Sequence, residues 1–430
     1  MLIKTICLFL LIPGWALGQE TFTQETFDKL TTEMQKKVEA LRGWKFKGPV
    51  KKEIYSEEQI KAFLSGGKNE KEFGPTARRD ALRRMVGLNC ESETKTDTFE
   101  KMMSEFLPPG VYDHQAHALY VLKPKEDDKD FEGIKTVILH ELVHAMDDQY
   151  FGLNLSGEKG PKTSDELTVR LSIFEGAAIL LQERYLMKKE ASGEQKAERD
   201  MDAMKSFFKV PLHALIPFPA CFPLGSRFLL KGDTMARNMI LAHQKDPGSV
   251  GPALKQAGTN LPRSTEQLLH PEKYWDNKKQ DAPVDLNHEA VEKLLAEEGL
   301  ETCFKDTLGE ILMALLTSPK ERKLSPMAFM LPDFWSNEAA AGWGGDGFFL
   351  LNPGNLCGIW FTLWDSKEDR DAFIEAYALH RPLETRTLSR LGDRAVVYFY
   401  GFDKTKQEAV MKRIRSSPLL FEREGKPWSP

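Results

Sequence analysis

Apolar residues recur at intervals of three and four at Phe27, Leu30, Met34 and Val38, which predicts an amphipathic N-terminal helix over 20–45. Further helices are expected over 56–106, broken at Gly66-Gly67 and Gly74-Pro75. After the turn at Pro108–Gly110, Val111-Tyr112 and Ala118–Leu122 read as two strands joined by the polar turn Asp113–Ala116. An acidic loop, Glu126–Asp130, leads into GIKTVILHELVHAMDDQ, residues 133–149, which is apolar nearly all round and therefore predicts a buried helix. Thr163 and Glu166 have the spacing of a capping box, and the helix they open runs to about Lys189. The proline-rich apolar stretch 210–225, interrupted by His213, reads as a buried loop ahead of a helix over 226–244, and 246–263 as a Gly/Pro-rich connector. Ser264 and Gln267 form a second capping-box pattern, opening a short helix that ends near His270 because Pro271 follows.

Beyond Asn287 the pattern changes. Helices are expected over 288–298 and 306–317, strands at GWGGDGFFLL and GIWFTLW, a helix over 366–380 with Ser366 as its N-cap, a strand over 394–400 and a closing helix over 404–416. The fold class is α+β and predominantly helical, ending in a small C-terminal α+β module. The expected divisions are 1–18, 19–105 (a helical region), 106–300 (the core) and 301–430 (the module).

The chain of 430 residues is 41% hydrophobic and 29% charged, a globular composition, and its net charge of −5 argues against a broad nucleic-acid-binding face. The first residues, MLIKTICLFLLIPGWALG, carry Lys4, a short apolar stretch and small residues before Gln19, which predicts a cleaved secretory signal and an exported chain with no transmembrane span once the signal is removed. Export permits disulfides, and Cys90, Cys221, Cys303 and Cys357 allow three pairings or four free thiols.

The chemistry concentrates in His140-Glu141-Leu142-Val143-His144. Histidines at i and i+4 lie on one helical face, so both imidazoles reach one ion, while Glu141 sits beside them as a general base toward water. The apolar flanks bury all three side chains, and a buried carboxylate beside two imidazoles is costly unless a dication compensates. HELVHAMDDQY offers no third histidine, so the third zinc ligand is expected to be a carboxylate from a second helix. Of Glu158, Glu166, Glu175 and Glu183, only Glu175 lies mid-helix on an apolar side, next to Gly176-Ala177-Ala178, whose small side chains allow close helix approach. Asp148 is the candidate for orienting the histidines, and Asp147 reads as solvated near the helix end. For an oxyanion donor the candidates are His270 and Tyr274, with Tyr112 or His114 upstream. Trp343 and Asp346 read as parts of a structural turn, since GWGGDG lacks the Lys-Ser/Thr of a phosphate loop.

His140, Glu141, His144 and Glu175 resemble the gluzincin metallopeptidases. That resemblance implies a zincin-like core of edge strands, an HExxH helix and a Glu-bearing helix, one catalytic zinc ion, Glu141 as general base, and Val111–Leu122 along the substrate cleft. A wider pattern, VYDHQAHALYVL, HELVHAMDDQYF, FEGAA, RSTEQLLHPEKY, AAAGWGGDGFFLL and WDSKEDRDAF, is similar to a family of exported bacterial and archaeal zinc metallopeptidases of undefined substrate. It departs from that pattern at Asp147 and Ala177-Ala178, away from the expected ligands. The leading expectation is an exported zinc peptidase acting on a protein or peptide. The alternative is a non-catalytic exported zinc protein with a structural or partner-binding role.

Overall fold

The computed structural model describes residues 22–65, 75–88, 107–123, 131–192, 218–239, 251–323, 331, 334–352, 356–382, 384, 386–417, 420–424, 426–428 and 430. The expected signal segment, Cys90, the Gly66-Gly67 and Gly74 breaks, the Glu126–Asp130 loop and His213 lie outside these residues. The chain is mixed α+β and mostly helical, as its periodicity predicts.

The N-terminal half runs α1 (Gln24–Arg42), β1 (Lys51–Tyr55), α2 (Glu57–Ser65), α3 (Pro75–Met85), β2 (Gly110–Asp113), β3 (Ala118–Leu122), α4 (Phe131–Phe151), α5 (Ser164–Ala191), α6 (Phe218–Met239) and α7 (Gly251–Thr259). The expected hairpin is β2–β3, with Tyr112 opposite Leu119. Within the region read as helical, β1 is a strand, and it pairs in parallel with β3 to make a three-stranded sheet in the order β1-β3-β2. Its burial does not alternate cleanly, so no period-two signal marked it.

Two loop expectations are overturned. The described part of the 210–225 stretch forms the first turns of α6, with Pro223 inside the helix. Proline is tolerated in a helix's first turn, and this one removes a single early backbone bond. Within the expected connector, Gly251–Thr259 is helical, and Pro252 falls in its first turn, where its missing N–H has no partner to lose.

α4 is buried along almost its whole length, as its uniform apolarity requires. α5 starts at the expected cap, where the Thr163 hydroxyl accepts from the Glu166 amide at 3.2 Å. α5 and α6 touch backbone to backbone. A Cβ on Gly176 would stand 2.3 Å from the Gly225 carbonyl carbon, and one on Gly225 only 1.6 Å from the Ser172 carbonyl oxygen. The small residues beside Glu175 thus serve a helix contact, and its partner is α6. Gly225→Ala is expected to lower stability by about 3 kcal/mol, because neither backbone can give way; the midpoint of urea unfolding measures it.

The chain continues through α8 (Thr265–Leu269), α9 (Glu272–Trp275), β4 (Asp285–Leu286), α10 (His288–Glu297), β5 (Thr302–Asp306), α11 (Gly309–Leu316), β6 (Trp343–Leu351), β7 (Cys357–Trp364), α12 (Lys367–His380), β8 (Arg386–Leu391), β9 (Ala395–Tyr400), α13 (Lys404–Ser416), β10 (Phe421–Arg423) and β11 (Lys426–Pro427). Five antiparallel strands form one sheet in the order β5-β6-β7-β9-β8. On one face α12 stacks Phe373 and Tyr377 against Trp360 and Tyr398. On the other, α10 and α13 bring Leu295, Val410 and Ile414 against Ile359, Val397 and Phe399. With both faces covered, β6 and β7 are buried at every position, which is why they read as continuous apolar runs.

This module holds the N-terminus of α5. Asp306, at the end of β5, accepts from the Ser164 amide and hydroxyl, each at 2.6 Å. Asp346 is a strand residue rather than a turn residue. Its carboxylate accepts from the Leu308 and Gly309 amides and from the indoles of Trp343 and Trp360.

Candidate metal centre

His140 and His144 stand one turn apart on α4, ring centres 4.8 Å apart, and Glu175 reaches them from α5. The Glu175 Oε2 atom is 3.4 Å from His140 Nε2 and 3.5 Å from His144 Nε2. These separations are long for charged hydrogen bonds, which cluster at about 2.7–2.9 Å. They match the edge of a zinc tetrahedron instead, since ligand atoms about 2.0–2.1 Å from the ion lie roughly 3.4 Å from one another. All three side chains are at most 1% exposed. The donor set, two imidazole nitrogens and a carboxylate oxygen, fits a borderline-soft dication. Among the described residues the group can hold one metal ion.

Glu175 shows what the histidines do electrostatically. Burial pushes its carboxyl up, but the neighbouring His144 and His140 outweigh burial and hold it down at about 2. The carboxylate is therefore ionised and matched to a cationic site. Of the other candidate carboxylates, Glu158 and Glu166 are exposed, and Glu166 accepts from the Lys162 amide.

The orientation of His140 is set by Gln182. Its Oε1 lies 2.9 Å from His140 Nδ1, so Nδ1 is placed to donate to it and Nε2 is the ring nitrogen turned toward Glu175. Gln182 follows Glu175 by two helical turns on the same face of α5, a spacing visible in the sequence but without an apolar pattern to mark it. Gln182→Leu is expected to weaken zinc binding about 10–100-fold, read by competition with a chromogenic chelator.

Glu141 is fully buried, and its side chain lies close to Gly110 of β2. A Cβ on Gly110 would lie 2.5 Å from Val137 Cγ1 and 3.4 Å from Glu141 Cγ. Only glycine lets the strand approach that closely, so β2 runs against the Glu141 side of the helix.

Neither aspartate takes its expected role. Asp147 is not solvated: it is fully buried and paired with Arg42 of α1, whose Nη2 lies 3.2 Å from both carboxylate oxygens. Burial raises its carboxyl to about 6, while the charges of Arg42 and His144 pull it back. Asp148 does not orient His140 or His144. It accepts from the Tyr112 hydroxyl at 2.8 Å, the Leu153 amide at 2.8 Å and the His117 ring at 2.7 Å. That contact also accounts for Tyr112, whose phenol burial and Asp148 push well above its ordinary range.

The expected oxyanion donors make other hydrogen bonds. His270 Nε2 lies 3.0 Å from Glu310, and Ser336 donates to the same carboxylate. The Tyr274 hydroxyl donates to the Asn260 carbonyl at 2.6 Å, and its ring packs on Phe228 and Trp275. His114 approaches the Ser156 hydroxyl at 3.3 Å. None of these hydrogen bonds joins the histidine–glutamate group. Glu266, Asp281 and Asp365 also have metal-ligand spacing, but the Lys273 ammonium binds all three. Cys221, Cys303 and Cys357 are free thiols.

Residues 298–412 match a family profile described as a domain of unknown function (DUF8575). The match covers the five-stranded sheet with α11, α12 and most of α13, well under half of the chain, and leaves α4 and Glu175 outside it. No curated protein and no solved structure matches the chain.

Proposed function

We propose that the protein is an exported zinc peptidase in which His140, His144 and Glu175 hold one catalytic ion within a zincin-like core. The observation that carries this reading is the 3.4 and 3.5 Å spacing of three buried ligand atoms, with the Glu141 carboxylate next in line on the same helix. Three protein ligands leave a position for water or substrate, which separates catalytic from structural zinc. A bound zinc ion supplies Lewis acidity toward water and the scissile carbonyl. The chain supplies the rest. Gln182 fixes the His140 tautomer. Glu141 takes the proton of the attacking water on a carboxylate oxygen and returns it to the leaving nitrogen. Its apolar surroundings, Val137 among them, strengthen that proton transfer by excluding bulk water. The leader-like first residues support the export part of this reading.

One observation favours a second reading, a zinc protein without catalysis. Glu141 and all three ligands are at most 1% exposed. Metal analysis and coordination spectroscopy separate the two. The peptidase reading expects one zinc per chain, lost in His140→Ala, His144→Ala or Glu175→Ala, with a water in its coordination shell and chelator-sensitive cleavage of peptides. A shell filled entirely by protein atoms, with no cleavage of a diverse peptide mixture, would establish the structural role. Chelation is also expected to lower the melting temperature, because the apo protein keeps a buried carboxylate against two imidazoles.

A further inference from the structure

Asp148 builds a second site at the far end of the same helix. Its buried carboxylate takes three donors, from Tyr112, Leu153 and His117, so its own hydrogen-bonding demand is met. The His117 ring is held through Nδ1, which turns Nε2 outward, and the side chain is 71% exposed. Its backbone has a φ of 51°, a left-handed conformation for which glycine or asparagine is the easy choice. A histidine at this turn position adds an imidazole oriented by Asp148.

Beside this ring lies a cavity of about 340 Å³, lined by Lys47, Val50, Tyr112, His117, Asp148 and Gln149 among others. The Lys47 ammonium donates to the Gln149 carbonyl at 3.0 Å and lies 4.2 Å from the centre of the Tyr150 ring. Those two contacts fix its position and leave N–H donors available. The pocket thus carries the Lys47 ammonium and an oriented imidazole, while the carboxylate among its lining residues, Asp148, is already engaged.

Its location relative to Glu141 follows from the helix. Asp148 is seven residues beyond Glu141, on the same face of α4 and about 10.5 Å along the axis. β2 follows that face, with Gly110 against Glu141 and Tyr112 bonded to Asp148. An extended peptide spans that distance in about three residues.

We propose that this pocket is a recognition subsite for a carboxylate: an Asp or Glu side chain about three residues from the bond placed beside Glu141, bound by the Lys47 ammonium beside the His117 ring that Asp148 orients. The register rests on the peptidase reading; the pocket's preference for a carboxylate does not.

The test uses zinc-loaded full-length Glu141→Gln protein and fluorescent octapeptides that differ only in Glu, Gln or Lys at each position in turn, read by anisotropy. Glu at one fixed position is expected to bind about tenfold more tightly than Gln. That preference is expected to disappear in His117→Asn, which keeps the left-handed turn, and to reverse toward Lys in Lys47→Glu. Equal binding of Glu and Gln peptides, binding of none, or a Glu preference untouched by both variants would overturn the proposal. Wild-type cleavage of the same peptides is scored separately. A carboxylate preference without cleavage sustains the subsite and sinks the peptidase, whereas cleavage without the preference does the reverse.

Discussion

Glu141→Gln is expected to keep one zinc per chain and the wild-type fold while lowering kcat/KM on a peptide substrate about a thousandfold, or ~4 kcal/mol of transition-state stabilisation. The substitution is isosteric, so Val137 and Gly110 keep their packing against the side chain. It alters a carboxyl group that is fully buried and is not one of the three convergent ligands. Metal content and rate should therefore separate. In Glu175→Gln they should fall together, because that carboxylate oxygen lies 3.4 and 3.5 Å from the two imidazole nitrogens. Zinc by mass spectrometry and steady-state rates on the same samples make the comparison. Wild-type turnover in Glu141→Gln would place the base elsewhere and remove the main reason for a hydrolytic reading.

The parts of this site that were legible in the sequence share one property: their neighbours are local. His140 and His144 declare themselves by helical spacing, and Glu175 by sitting among apolar residues mid-helix, where an unpaired carboxylate is too costly to be incidental. The caps at Thr163, Ser264 and Ser366 are equally local, and each hydroxyl accepts the expected amide. What local pattern could not supply was the identity of distant partners. Asp147 looks solvated until α1 delivers Arg42 from 105 residues away. Asp148 has the right helical face for the histidines, yet the β2–β3 turn brings His117 to it first. Gln182 carries no signature of its own and acquires one only when α4 and α5 cross. The same limit explains β1 and β8, whose strands are specified by pairing with β3 and β9 rather than by alternation. The helical starts at Phe218 and Gly251 were hidden by prolines that read as breakers but fall early in their helices.

Arg42→Met is expected to destabilise the protein by about 3–5 kcal/mol, the usual cost of stranding one partner of a buried ion pair. Arg42 and Asp147 have no exposed side-chain surface, so water cannot replace the lost contact. Burial already lowers the Arg42 pKa and raises that of Asp147 to about 6, with each charge partly relieving the other. Arg42 is also imperfectly satisfied, since its Nε and Nη1 find no hydrogen-bond partner among the described residues. A pair that is expensive to keep should be inexpensive to remove as a unit. The double variant Arg42→Met/Asp147→Asn is therefore expected to regain most of the loss, measured by urea unfolding of zinc-loaded protein. Because Asp147 lies within electrostatic reach of His144, the same variants report on the metal centre. Restored stability with weakened zinc binding would mean that Asp147 tunes the ligand His144. Restored stability with unchanged zinc binding would reduce the pair to a tie between α1 and α4.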